Sequence, residues 1–196
     1  MTLSQNIEIE FKNMLSNQEY LQLKEYFGLK EDLFFTQENH YFDTEEFSLK
    51  DRSSALRIRQ KDNHFEMTLK QPLIEGLLET NQLLTSEEAE AAFTSGRLPA
   101  GKIKMIIEEL GIPFGKLQYF GSLTTKRAEF TYENGLLVLD YSTYLNTEDY
   151  ELEYEVDNFE TGREAFTGLL DQFSIPERKT DNKIRRFYQQ KYNTRK

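Results

Sequence analysis

Near the start of the chain, Ile7, Ile9 and Phe11 alternate with Glu8, Glu10 and Lys12. Successive side chains of a strand point to opposite faces, so this run places its apolar residues on one face and its charges on the other. The alternation returns in Leu56-Arg57-Ile58-Arg59, in Phe65-Glu66-Met67-Thr68-Leu69-Lys70 and in Glu151-Leu152-Glu153-Tyr154-Glu155-Val156. The charges sort by strand: some strands carry carboxylates, others carry Arg and Lys. Strands are predicted over residues 7–15, 33–42, 55–60, 65–71, 77–84, 117–132, 136–144 and 150–156.

Between the strands the period changes to that of a helix. Ser16 reads as an N-cap with Glu19 three residues on, and Gly28 closes the helix that follows. Thr85 or Ser86 caps a helix running to residue 93. A further helix over 101–110 is closed by Gly111, and 162–173 is amphipathic. Residues 178–192 form a basic, aromatic tail segment.

Asn134-Gly135 is the strongest local turn signal, because Asn-Gly between alternating runs favours a tight type I′ hairpin. A two-residue loop there would pair Tyr132 with Leu137 and set Glu129 directly opposite Asp140. Like charges in register are destabilising unless one is protonated or a cation intervenes. A tight turn at Asp62-Asn63 would set Arg59 against Glu66 and Arg57 against Thr68, with Lys70 on the same face. A loop at 146–149 would give a third hairpin, with Asp140 sharing a face with Glu151, Glu153 and Glu155.

The polar faces thus collect an acidic set (Glu8, Glu10, Glu129, Asp140, Glu151, Glu153, Glu155) and a basic set (Lys12, Arg57, Arg59, Lys70, Arg127, with Lys183 and Arg186 from the tail). Two architectures satisfy the pattern. In one, the charged faces meet water around an ordinary core. In the other, the sheet closes into a barrel with a charged lumen, and helices cover its apolar exterior. A charged lumen must satisfy its groups internally or with a ligand.

With 196 residues and only 4 Pro and 10 Gly, the chain shows no linker, and one domain over 1–196 is expected. There is no cysteine, which excludes disulfides, thiolate metal sites and a Cys nucleophile. No apolar run approaches about 18 residues and no signal-peptide core is present, so a soluble cytoplasmic protein is expected. A net charge of -10 argues against general nucleic-acid binding, although 24 Lys and Arg suffice to line a local basic site.

Grouped carboxylates bind hard divalent cations such as Mg²⁺ or Mn²⁺ through oxygen, and grouped Arg and Lys bind phosphate oxygens. A polyphosphate with a divalent metal would neutralise both sets. Other chemistries lack support: His40 and His64 are the only histidines, and neither a Walker loop nor a dinucleotide fingerprint is present. Tyr41, Phe42 and Phe187 are assigned to packing.

Glu8-Ile9-Glu10-Phe11-Lys12 resembles the ExExK signature of the CYTH superfamily, the triphosphate tunnel metalloenzymes. In order along the chain, Tyr41-Phe42-Asp43-Thr44, Leu56-Arg57-Ile58-Arg59, Thr68-Leu69-Lys70, Arg127, Asp140, Tyr150-Glu151-Leu152-Glu153 and Lys183 with Arg186 extend the resemblance over essentially the whole sequence. It is similar to the bacterial single-domain branch found in Bacillus and its relatives. The resemblance implies an α+β fold built on a closed eight-stranded antiparallel β-barrel, a tunnel with a charged lumen and helices packed outside. It implies Glu8, Glu10, Glu151 and Glu153 as metal ligands, with Asp140 nearby and Mg²⁺ or Mn²⁺ as the ion. Lys12, Arg57, Arg59, Lys70, Arg127 and Lys183 would grip a triphosphate, joined by Arg186, and Lys12, Arg57 and Arg59 are the catalytic candidates. On the last strand Asp181-Asn182-Lys183 stands where a Ser-Lys pair is common, and Lys179 competes for the role of Lys183.

The function expected is metal-dependent hydrolysis of inorganic tripolyphosphate or of an organic triphosphate. The alternatives are an adenylate cyclase, in which a ribose hydroxyl replaces water, and a non-catalytic polyphosphate- or nucleotide-binding module. The sequence leaves the oligomeric state open.

Overall fold

The computed structural model describes residues 3–193. In chain order the elements are β1 (Leu3–Leu15), α1 (Asn17–Tyr26), β2 (Phe35–Asp43), β3 (Ala55–Lys61), β4 (His64–Pro72), β5 (Leu77–Leu84), α2 (Ser86–Ser95), α3 (Lys102–Glu109), β6 (Gln118–Tyr132), β7 (Gly135–Tyr144), β8 (Thr147–Val156), α4 (Phe159–Gln172) and α5 (Lys183–Asn193). The strands form a closed barrel in the order β1-β5-β4-β3-β2-β6-β7-β8. Closure leaves no sheet edge to template aggregation.

By contact density the molecule has two compact units, one formed by the chain up to Ile7 with Gln37–Leu123, the other by Glu8–Thr36 with the chain from Thr124 on. Each has its own apolar core. In the first, Phe42, Leu56, Ile58, Met67 and Leu69 pack with Ala92 of α2 and Ile103 and Ile107 of α3. In the second, Leu15, Leu137, Leu139, Leu152 and Tyr154 pack with Tyr20 and Leu23 of α1 and Phe166, Leu169 and Leu170 of α4. In both, helices cover the apolar face of the strands, and the alternating charged positions fall on the other face. Each fully buried aliphatic or aromatic side chain contributes about 1.5–3 kcal/mol relative to exposure.

The helices begin where local chemistry sets them. Ser16 accepts from the Glu19 N–H, and the Glu19 carboxylate accepts from the Ser16 N–H, a complete capping box; Thr85 and Glu88 repeat it at α2. Asn158 caps α4 by accepting from the Thr161 N–H. Gly162 allows α4 to approach the sheet: a Cβ there would lie 2.5 Å from Val156 Cγ2 and 3.0 Å from a Phe11 ring carbon.

Four expectations need correction. The β6–β7 loop is Glu133-Asn134, with Tyr132 paired to Gly135 rather than to Leu137. Glu133 takes the left-handed conformation (φ 48°), while the missing Cβ of Gly135 admits Glu155 O and the Tyr154 ring, 2.6 Å from where it would stand. Glu129 therefore faces Val138, and Asp140 faces Arg127. The β7–β8 loop is Leu145-Asn146, both at positive φ, so β8 starts at Thr147, earlier than expected. Residues 31–33, taken partly into a strand, form a 3₁₀ turn before β2. Lys183 opens helix α5, not a strand. The β3–β4 register is as expected, with Arg59 opposite Glu66 and Arg57 opposite Thr68.

Candidate active site

The second unit holds a buried ionic cluster on the charged face of β1, β6, β7 and β8. The register builds it: Arg127 of β6 is paired to Asp140 of β7, Asp140 to Glu151 of β8, and Glu153 of β8 to Lys12 of β1. Arg127 donates from Nε and Nη2 to the two Asp140 carboxylate oxygens at 2.7 and 2.6 Å, and from Nη2 to Glu153 Oε2 at 2.7 Å. Lys183 reaches Asp140 Oδ2 at 2.8 Å and Glu151 Oε2 and Glu153 Oε1 at 2.6 Å each. Arg186 binds Glu151 Oε2 at 2.7 Å and Asp149 Oδ2 at 3.0 Å. Lys12 pairs with Glu10.

Lys183 arrives from the far end of the chain because the preceding segment is pinned to β1. The buried amide of Asn13 donates to Pro176 O and accepts from the Arg178 N–H, and Thr180 Oγ1 accepts from the Met14 N–H. Arg178 also grips the Glu19 carboxylate that caps α1. Ile184, Phe187 and Tyr188 then bury one side of α5. This tether bears on the choice between the two lysines, for it is Lys183 that it delivers to the carboxylates.

Burial of so many charges is unfavourable unless they compensate one another. Burial works against the charges on Arg127 and Lys183, yet the surrounding carboxylates outweigh it and hold both pKa values well above the ordinary range. Burial likewise pushes Glu153 up, but Lys183, Arg127 and Lys12 overcome it and hold Glu153 well below the ordinary carboxylate range. Asp140 is also lowered, by Arg127 and Lys183 against burial. Glu155 goes the other way: half-buried, with Glu8, Glu153 and Glu10 nearby, it is pushed up to about 7.

Among the described residues, Asp140, Glu151 and Glu153 bring one carboxylate oxygen each within 4.8 Å of one another. An all-oxygen, all-carboxylate donor set of this kind suits a hard divalent cation. Asp140, placed beside the ligands by resemblance, is thus a full member of the group. Glu8 and Glu10 fall outside the close triad. They lie by Glu155, which pairs with Glu10 across the strands. Glu155 and Asp149 are site neighbours that the site reading omitted; the alternation already placed Glu155 on this face, whereas Asp149 required the true start of β8.

The remaining basic candidates lie on the first unit. Arg57 and Arg59 of β3 and Lys70 of β4 share the face opposite the apolar core. Arg59 Nε donates to Asn39 Oδ1 at 3.1 Å, and Lys70 pairs with Glu79. Phe42 belongs to the apolar cluster; Tyr41 is buried too, as packing requires, but stands directly opposite Arg57, on the charged face. Asp43, at the end of the Tyr41-Phe42-Asp43-Thr44 motif, is structural. Its buried carboxylate accepts from the N–H groups of Thr44, Leu49 and Lys50 and so organises the loop after β2.

Comparison with known proteins agrees with this architecture. The family model described as CYTH domain matches residues 6–188. The chain is 51% identical over 189 residues to a Bacillus subtilis (strain 168) protein named "Putative triphosphatase YjbK", covering 96% of this chain and 98% of that one. A crystal structure of a "putative adenylate cyclase" from Bacillus halodurans superposes with a TM-score of 0.91 at 45% identity, covering 94% of this chain and 98% of that one. A Hippeastrum protein, described as a "putative adenylyl cyclase" with a dominant triphosphatase activity, superposes with a TM-score of 0.77 at 25% identity, covering 93% and 96%.

Proposed function

The chain belongs to the CYTH domain family, and from that premise we propose that it is a divalent-metal-dependent triphosphatase acting on inorganic tripolyphosphate or an organic triphosphate. The observation that carries the reading is the buried cluster of Asp140, Glu151 and Glu153 interleaved with Arg127 and Lys183. A fold has no need of so many buried charges for stability, since apolar residues of similar volume serve as well or better. Their use is to bind charge.

Asp140, Glu151 and Glu153 would hold Mg²⁺ or Mn²⁺, with Glu8 and Glu10 as further carboxylates. The ion would supply charge neutralisation on phosphate oxygens. Lys12, Arg127, Lys183 and Arg186 in one unit, and Arg57, Arg59 and Lys70 in the other, are proposed as phosphate-binding cations. Within their own units, Lys12 on the one hand and Arg57 with Arg59 on the other are the catalytic candidates, each proposed to stabilise negative charge on phosphoryl oxygens. Arg127 and Lys183 are held cationic by their carboxylate neighbours, so they are charged at any pH at which the fold persists.

Phosphate release from tripolyphosphate, ATP and thiamine triphosphate, each with Mg²⁺, with Mn²⁺ and with excess chelator, tests this directly. Turnover lost in chelator and restored by metal is expected; full turnover in chelator overturns the metal assignment. Cyclase chemistry is the second reading, favoured by Tyr41, an aromatic ring on the charged face. Chromatography of the ATP products separates the two: ADP or AMP with phosphate or pyrophosphate supports the hydrolase, and cyclic AMP as the main product supports the cyclase.

A further inference from the structure

On the first unit, three polar side chains line up across adjacent strands of the charged face. Arg57 of β3 is paired to Thr68 of β4, and Thr68 to Asn81 of β5. Thr68 is 1% exposed and Asn81 8%. Arg57 Nε, Thr68 Oγ1 and Asn81 Oδ1 are each buried without a hydrogen-bond partner. An unmet buried polar atom costs about 1–3 kcal/mol, so three in one row call for a reason.

The neighbours of the row show what it lacks. Arg59 has Glu66 across the strand and Asn39 on its Nε. Lys70 has Glu79. Arg57 is the cation of this group whose cross-strand neighbours, Tyr41 and Thr68, carry no charge. The row therefore offers a guanidinium N–H, a hydroxyl and a carboxamide. The two ends of a carboxamide differ only in which atom is nitrogen, and a half turn presents an N–H where Oδ1 stands. Three donors, one of them cationic, suit an anionic oxygen.

We propose that Arg57, Thr68 and Asn81 act together as a phosphate-oxygen cradle, in which Thr68 and Asn81 are substrate-binding residues. The proposal rests on the triphosphate reading above and adds to it two neutral donors that no charge pattern reveals. Neutral donors fit a specific purpose. They fix the position of one phosphoryl oxygen without adding a further buried charge that would need compensation when substrate leaves.

The test uses the full chain with four proteins: wild type, Thr68→Val, Asn81→Leu and Asn81→Asp. kcat/KM for tripolyphosphate with Mg²⁺ is measured beside the melting temperature without ligand in chelator. Thr68→Val and Asn81→Leu should each lower kcat/KM about tenfold or more, as expected for loss of a hydrogen bond to a charged group. Their ligand-free melting temperatures should hold or rise, because each removes an unmet buried polar atom. Asn81→Asp should lose more than Asn81→Leu, since its carboxylate faces the anion. Wild-type kcat/KM in Asn81→Asp, or in both Thr68→Val and Asn81→Leu, overturns the cradle. So does a lowered melting temperature with unchanged kcat/KM. If wild type itself releases no phosphate, the hydrolase reading fails, and the cradle is then judged by binding. A melting temperature raised by tripolyphosphate in wild type but not in Asn81→Asp supports it; no rise in wild type overturns it.

Discussion

Replacing Arg127 by Met separates a cation that the buried cluster needs for stability from one that serves substrate alone. Arg127 is buried and makes three charge-assisted hydrogen bonds of 2.7 Å or less, two to Asp140 and one to Glu153. The sequence pattern suggests that such an arginine serves substrate alone, so that its loss relieves repulsion and leaves stability unchanged or higher. The observed pairing reverses that expectation. In Arg127→Met, Lys183 remains against Asp140 and Glu153, and Lys183 with Arg186 against Glu151. Breaking a buried pair by removing one partner costs about 3–5 kcal/mol, and the surviving lysine places this case near 3. For a chain of this length that corresponds to a fall in melting temperature of roughly 6–12 °C. The pH dependence follows from the carboxylates. In wild type, Asp140 and Glu153 titrate below the unfolded-chain range, so their contribution is present above about pH 4 and is lost as pH falls. Without Arg127 their folded-state pKa values move up towards the unfolded-chain range, so the variant gains less stability than wild type as pH rises. The gap between the two proteins should be widest near neutrality and narrow towards pH 4. Thermal unfolding by circular dichroism in chelator, from pH 4 to 8, measures it. A variant that melts within about 2 °C of wild type at pH 7, or a gap independent of pH, refutes the reasoning.

Three further outcomes are expected. Asp43→Ala leaves the N–H groups of Thr44, Leu49 and Lys50 without their acceptor; at about 1–3 kcal/mol per unmet group, some re-solvated at the loop surface, the melting temperature should fall by several degrees, with faster hydrogen exchange confined to residues 44–50. Gly162→Ala drives a methyl against Val156 and Phe11, and chemical denaturation should show a loss of about 1–3 kcal/mol; an unchanged midpoint would mean that α4 shifts freely. Ser16→Ala removes a capping-box acceptor and should cost about 1 kcal/mol by denaturant titration, with kinetics for tripolyphosphate unaltered.

Two-residue alternation is a property of the chain itself. It therefore assigned Glu10, Lys12, Arg57, Arg59, Asp140, Glu151 and Glu153 to charged faces, opposite the leucines and aromatics that became the two cores. Capping residues are equally local: Ser16 could be read directly as a helix start, and the second start narrows to Thr85 or Ser86, of which the structure uses Thr85. Register is different. Sliding the β6–β7 pairing by two residues keeps every side chain on its face but changes every partner. The Asn-Gly signal favoured one register, and packing chose the other, because Gly135 is needed where Glu155 and Tyr154 press against the strand. That choice turned an expected Glu129–Asp140 repulsion into the Arg127–Asp140 pair. The place of Lys183 was beyond local reading too. Its helix is set by bonds from Asn13 and Met14 to residues more than 160 positions away, contacts that exist only after the chain has folded.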